Sequence, residues 1–144
     1  MVQVVLPNDA NPLGFILGGT VMHLIDIAGA ITAGRHTRHQ VVTAAVDGLQ
    51  FLHPIKVGDL IILKAHVTCV FTTSLEVQVD VFSEEALTGD RRMTSTAYLT
   101  FTTLAKDGQR ARLPELIVET DDERRACRDA QERRAQRLAA RPHA

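Results

Sequence analysis

The segment Gly18-Gly19-Thr20-Val21-Met22-His23-Leu24-Ile25-Asp26-Ile27-Ala28-Gly29-Ala30-Ile31-Thr32-Ala33-Gly34 constrains the fold more than any other part of the chain. It reads as a helix that is apolar on nearly every side, and such a helix is buried rather than laid on a surface. Within it stands one acid, Asp26. A buried carboxylate without a partner is costly, so Asp26 must be desolvated, paired or used. The helix opens on two glycines, which leaves bare backbone N–H groups at its positive end. A carboxylate and an anion-binding helix start on one element are the parts needed to attack a carbonyl.

At 144 residues the chain is long enough for one real core and too short for two. Its formal net charge of −1 provides no global field to recruit nucleic acid or an anionic membrane. Aromatic residues make up only 4% and the basic residues are scattered, which also argues against a nucleic-acid surface. The start, Met1 to Pro7, lacks a basic leader followed by a long apolar run, so no signal peptide is expected. His23 and Asp26 interrupt the apolar helix, which is too short to span a bilayer, so no membrane partner is expected. Cys69 falls in a strand-like segment and Cys127 in a charged tail. Two thiols so placed read as reduced cysteines of a cytoplasmic protein rather than a disulfide framework.

Strand formers dominate Val41 to Phe51, up to Pro54 and the Val57-Gly58-Asp59 corner. Leu60 to Phe71 is a second strand. Leu75-Glu76-Val77-Gln78-Val79-Asp80-Val81 alternates strictly, the mark of a half-buried strand. A hairpin loop over Ser83 to Asp90 leads to a strand from Met93 to Leu104, closed by an Asp107-Gly108 turn. A short strand near Val2 to Leu6 precedes the helix. The links between late strands are too short for helical crossovers, which implies antiparallel pairing. The inventory is α+β: a curved antiparallel sheet wrapping one helix, whose remaining faces a second subunit would cover. Residues 1–118 form this body, and 119–144 a charged C-terminal helix and tail. Thr120 to Glu123 fits a capping box, and Arg133, Arg134, Arg137 and Arg141 close the helix. A solvated or peripheral helix is the simpler reading of that tail; its Arg-rich end is also suited to a phosphate.

Three clusters carry candidate chemistry. Helical spacing places Asp26, Met22, Gly29 and Ala30 on one face, with Gly19 two turns back, and the small residues leave room for a water or substrate atom. A carboxylate tuned by desolvation and hydrogen bonds can act as a general base or attack directly. Upstream, Asn8-Asp9-Ala10-Asn11-Pro12-Leu13-Gly14 is turn-forming, and Asn11 can both donate to a carbonyl and accept from water. The Gly18 and Gly19 amides can hold an oxyanion. Thr72-Thr73-Ser74 opens the alternating strand with hydroxyls, an ordinary feature by itself. His23, His36, His39 and His66 lack metal-type spacing, and no metal site is expected. Neither a Gly-x-Ser-x-Gly elbow nor a phosphate-binding loop is present.

Taken in order, Asn8 to Gly14, Gly18 to Met22, Asp26 to Ala30, Arg35-His36, Val42 to Asp47, Phe51, Pro54-Ile55 and Gly58-Asp59 form a series. With Pro114-Glu115-Leu116 and Glu119 to Glu123, the series resembles the hotdog-fold acyl-CoA thioesterases. Specifically, it resembles the bacterial YciA-like branch and the related cytosolic long-chain acyl-CoA hydrolases of animals. The resemblance runs from about Leu6 into the tail. It implies a five- or six-stranded antiparallel sheet around the long helix, subunits paired through their sheets, and dimers assembling further into a hexamer, a trimer of dimers.

The resemblance also implies an active site at the dimer seam, with Asp26 of one subunit as catalytic carboxylate and Asn11 of the other facing it. Amides near Gly18 and Gly19 would polarise the thioester carbonyl, and Phe51, Thr73 and Ser74 would meet the CoA part of the substrate. No cofactor is implied, CoA being part of substrate and product. One departure stands out: relatives carry Gly-Arg-Thr-Ser where this chain has Phe71-Thr72-Thr73-Ser74. A phosphate contact from that Arg does not carry over, and Arg35, Lys56 and the tail arginines are the replacements on offer. The expected function is hydrolysis of acyl-CoA to a free acid and CoA. An enoyl-thioester hydratase ranks lower, because Gly14 stands where a hydratase loop has its His. A non-catalytic acyl-CoA sensor ranks lower too, since a mere binder has little use for Asp26.

Overall fold

The computed structural model describes residues 1–104, 107 and 109–141. Strand β1 (Val2–Val4) leads through a turn at Pro7–Asp9 and a loop into helix α1 (Gly18–Thr37). Then come β2 (Val41–Asp47), β3 (Leu60–Val70), β4 (Ser74–Glu84), β5 (Arg91–Thr103) and helix α2 (Asp121–Ala139). The five strands form one antiparallel sheet in the order β1-β3-β4-β5-β2. This is the wrapped α+β architecture expected from the sequence, in its five-stranded form.

Alternation builds the layers. Leu75, Val77, Val79 and Val81 of β4 point inward and are fully buried with Leu63, Ala97, Leu99 and Phe101. Against them α1 packs Val21, Leu24, Ile25, Ala28, Gly29 and Ala33. Helix α1 runs a turn beyond Gly34 and ends where Arg38 turns left-handed, φ 54°, its N–H donating to the Gly34 carbonyl. Strand β2 stops at Asp47, short of the Phe51 read from the sequence; Leu52 instead donates its N–H to the Thr94 carbonyl at 2.9 Å. The corner at Gly58, φ 92°, is fixed by its N–H to the Val5 carbonyl at 2.9 Å. The turn expected at Asp107-Gly108 reaches outside the described residues at Gly108.

Two bulges decide what faces where. Between Val67 and Cys69 the β3–β4 register shifts by one residue. An inserted residue puts two neighbours on the same side, here Thr68 and Cys69, both buried on the outer face beside Glu76. Between Thr43 and Ala45 the β2–β5 register shifts likewise. Thr43, opposite Phe101, and Val46, opposite Leu99, thus share the inner face, while Ala45 and Asp47 face outward.

Helix α2 lies over that outer face. Thr120 caps it by accepting from the Glu123 N–H at 3.1 Å, and Glu123 reaches back to the Glu119 N–H at 3.2 Å, one residue earlier than a standard capping box. The helix is more firmly held than a solvated tail. Arg133 donates twice to the buried Glu76 carboxylate, at 3.0 and 2.7 Å, and its guanidinium stacks 3.7 Å from the Tyr98 ring centre. Thr68 donates to the same carboxylate at 2.7 Å, and Arg137 pairs with Asp47 at 2.8 Å.

The cysteines correct the sequence reading: Cys69 of β3 and Cys127 of α2 form a disulfide, with Cα atoms 4.6 Å apart. They are 58 residues apart in sequence, and only the return of α2 across β3 makes them neighbours. The inference from reduced thiols to a cytoplasmic setting therefore falls. No helix among the described residues is long and apolar enough to cross a membrane.

Candidate active site

Only one side of α1 is buried by its own sheet. Its other side presents Met22, His23, Asp26, Ile27 and Ile31 to the exterior of the single chain. Asp26 is exposed there, not hidden in the core. Thr43 of β2 donates its hydroxyl to Asp26 Oδ1 at 2.5 Å, which fixes the carboxylate and leaves Oδ2 open. Thr43 was not among the residues chosen from the sequence. Alternation alone gives no reason to single out one strand threonine, and its role appears only when the bulge turns it toward α1.

Gly29 is a second difference. The sequence reading gave it to the Asp26 face as space for substrate, but it points into the core. A Cβ there would stand 3.0 Å from Phe101 Cζ, so the glycine lets helix and sheet approach closely. Ala30 stays on the exposed side.

Gly18 and Gly19 form the first turn of α1, and neither N–H meets an acceptor among the described residues. They stand between two hollows. On one side a pocket of about 300 Å³ is lined by Gly19, Met22, His23, Asp26, Thr43 and Val46. On the other a cavity of about 340 Å³ is lined by Asn11, Phe15, Gly18, Val21, Phe51 and Pro54. The Phe51 ring sits over Gly18, with ring carbons 3.4 to 3.5 Å from where a Cβ would be. Asn11 accepts from the Leu13 and Phe15 N–H groups at 3.0 and 3.1 Å, which shapes its own loop. Within one chain Asn11 and Asp26 therefore line different hollows on either side of the helix start.

Thr73 and Ser74 lie elsewhere. Ser74 pairs with Thr102 at one end of β5, whereas the Phe51 segment is tied to Thr94. Eight residues of strand separate these points, about 26 Å at the usual rise per residue. A single chain does not unite Phe51 with Thr73 and Ser74. The Thr73 carbonyl accepts from the Thr103 N–H at 3.2 Å, and Arg134 of α2 stands 5.0 Å from the Phe71 ring centre. A guanidinium from the tail thus reaches the strand opening that lacks its own arginine. Arg35 stands in the last turn of α1, beside His36, whose ring meets the Pro114 carbonyl, and Lys56 is paired with Phe15 in the entry loop.

This arrangement matches known proteins closely. Residues 13–89 match the thioesterase superfamily. The chain belongs to that family. An acyl-CoA thioester hydrolase of Bacillus subtilis is 40% identical over 119 residues, 83% of this chain and 69% of that protein. The human cytosolic acyl coenzyme A thioester hydrolase is 29% identical over 143 residues, of which this chain spans only 38%. An acyl-CoA hydrolase from Staphylococcus aureus, solved with butyryl-CoA, CoA and CoA disulfide, superposes with a TM-score of 0.86 at 35% identity. That match covers 96% of this chain and 85% of the other. A hexameric acyl-CoA thioesterase superposes with a TM-score of 0.88 at 38% identity, covering 98% of this chain and 92% of the other. The staphylococcal enzyme has also been solved with one Asp, one Asn and one Thr each replaced by Ala.

Proposed function

We propose that this thioesterase-superfamily chain hydrolyses acyl-CoA to a free carboxylic acid and CoA, with Asp26 as general base. The observation that carries this reading is the Thr43–Asp26 hydrogen bond at the mouth of an open pocket beside the unsatisfied Gly19 amide. Thr43 orients the carboxylate through Oδ1, and Oδ2 accepts the proton of a water as its oxygen attacks the acyl carbon. The Gly18 and Gly19 N–H groups take the charge that develops on the carbonyl oxygen. The tetrahedral intermediate collapses with cleavage of the carbon–sulfur bond, and the CoA thiolate leaves and is protonated. Support also comes from spacing. The altered Asn, Asp and Thr of the staphylococcal enzyme are separated by the same intervals as Asn11, Asp26 and Thr43, fifteen and seventeen residues.

The working unit in this reading is a pair of chains, which assemble further as a trimer of dimers. Met22, Ile31, Val46, Phe51 and Leu52, on α1, β2 and the segment after it, are each more than two-fifths exposed. Large apolar side chains left exposed together mark an interface. A second copy seated on it brings its Asn11 hollow to the Asp26 pocket, completing a site that one chain holds in halves.

The test is release of CoA thiol from acyl-CoA, together with complementation between Asp26→Ala and Asn11→Ala subunits. Each homomeric variant is expected to be inactive, and mixed dimers to regain part of the activity. Verified heterodimers that stay inactive would rule out a shared site. Absence of thiol release by the parent protein at every chain length would rule out the hydrolase.

A further inference from the structure

The outer face of the sheet, on the side away from Asp26, holds a groove of about 990 Å³ beneath and beside α2. That volume is in the range of small-ligand sites. We propose that this groove binds a phosphorylated small molecule, with Arg110, Arg134 and Arg141 as its cationic contacts and Ser74 and Thr100 as hydroxyl partners.

Two independent observations point there. The first is charge. Five arginines line the groove against a single acid, Asp47, in a chain whose net charge is −1. Asp47 is already taken by Arg137, and Glu76 below it by Arg133. Arg110 donates at 3.0 Å to the Thr102 hydroxyl and Arg134 lies over Phe71. Neither these two nor Arg141 has a carboxylate partner among the described residues. Guanidinium groups held beside hydroxyls fit the flat, multiply accepting face of a phosphate, which they grip with paired N–H donors. The second observation is Thr100. It lines the groove at 6% exposure, and its hydroxyl is buried without a hydrogen-bond partner. A buried hydroxyl left unmade costs stability, so a polar atom entering the groove has a waiting partner.

The helix that carries most of the arginines is clamped in place. The Cys69–Cys127 disulfide and the Arg133–Glu76 pair hold α2 to β3 and β4, so the cations are preorganised rather than gathered by the ligand. Sparse aromatic residues favour a small phosphate compound over a polynucleotide. Its phosphate can come from the nucleotide end of an acyl-CoA or from a free phosphate compound. The first source rests on the hydrolase reading; the groove itself does not.

The experiment is calorimetric titration of the intact, oxidised protein with inorganic pyrophosphate and with adenosine 3′,5′-bisphosphate. It is paired with KM values for butyryl-CoA and for S-butyryl pantetheine, which lacks phosphate. In Arg110→Ala/Arg134→Ala, pyrophosphate affinity is expected to fall about tenfold or more, as loss of charge-assisted hydrogen bonds predicts. Thr100→Val, which keeps the shape, should weaken binding by a few-fold, and Arg110→Gln serves if the double variant loses its fold. A tenfold rise in the butyryl-CoA KM relative to that of S-butyryl pantetheine assigns the groove to the substrate's phosphates. Lost pyrophosphate binding with an unchanged KM ratio assigns it to a separate phosphate compound. Unchanged pyrophosphate and bisphosphate affinities together with an unchanged KM ratio overturn the site. A parent protein that binds pyrophosphate through these arginines but cleaves neither thioester overturns the hydrolase reading and leaves the groove standing.

Discussion

The two helices of this protein sit on opposite faces of one sheet and are held by opposite physics. Helix α1 is kept by apolar burial: Val21, Ile25, Ala28 and Ala33 pack on the inner face, and Gly29 admits Phe101. Its polar group, Asp26, takes no part in that packing and stands free at the exposed side with Thr43. Helix α2 buries one residue, Ala130, and is kept by two charge pairs, a stacked guanidinium and a disulfide. Non-directional burial holds α1 without spending polar groups, which leaves its carboxylate and its first-turn amides outside the packing. Directional contacts hold α2 and consume Arg133 and Arg137, leaving Arg134, and Arg141 just past the helix end, to face the groove.

Changes to each helix should therefore break different things. The largest expected effect is Asp26→Asn, which should lower thioester turnover about 10²- to 10⁴-fold, with an unfolding transition like the parent's. An equal loss of stability would mean that Asp26 holds the fold and the contrast between the helices is wrong. On the other face, Arg133→Met leaves Glu76 buried with Thr68 as its remaining side-chain partner, and denaturant unfolding should show about 3–5 kcal/mol of destabilisation. The double change Arg133→Met/Glu76→Leu should recover most of it, because neither charge then remains buried. The hydrogen bond with Glu76 raises the Arg133 pKa above its ordinary value. A raised pKa on a cation gives stability that is complete below the unfolded value and lost only at higher, strongly alkaline pH. The pair therefore holds throughout the neutral range.

Reduction of Cys69–Cys127 comes next. The bond closes a loop of 58 residues, and the chain-entropy relation gives about 4 kcal/mol, the measured range being about 2–4. Unfolding curves with and without reductant measure it. Turnover of a thioester lacking the nucleotide should change least, since the bond lies on the face away from Asp26. The smallest effect is expected at Gly29→Ala. The new methyl group crowds Phe101 at a cost of about 1–3 kcal/mol, partly offset by about 1 kcal/mol of helix propensity. A thermal melt should fall by a few degrees. A rise would mean that Phe101 yields freely and that the close approach is not needed.

Much of the inner face was legible in the sequence because it rests on periodicity. An apolar helix and a strictly alternating strand call for a sheet packed against the helix, and α1 at Gly18–Thr37 and β4 at Ser74–Glu84 lie close to the limits read from the sequence. The outer face was not legible. Thr68 and Cys69 share a side through a bulge that leaves no mark in composition, and Arg133 finds Glu76 across 57 residues of sequence. The cysteine reading failed for the same reason.

By itself, the sequence determined the wrapped α+β architecture, since burial patterns and turn residues act locally along the chain, and its ordered motifs carried the thioesterase likeness from which Asp26 is proposed as the base. Tertiary structure decided that Thr43 holds Asp26, that Gly29 serves Phe101, that Asn11 and Asp26 face different hollows, and that α2 is stapled over the sheet. Those outcomes depend on register and on long-range return of the chain, where one residue of slip changes every partner.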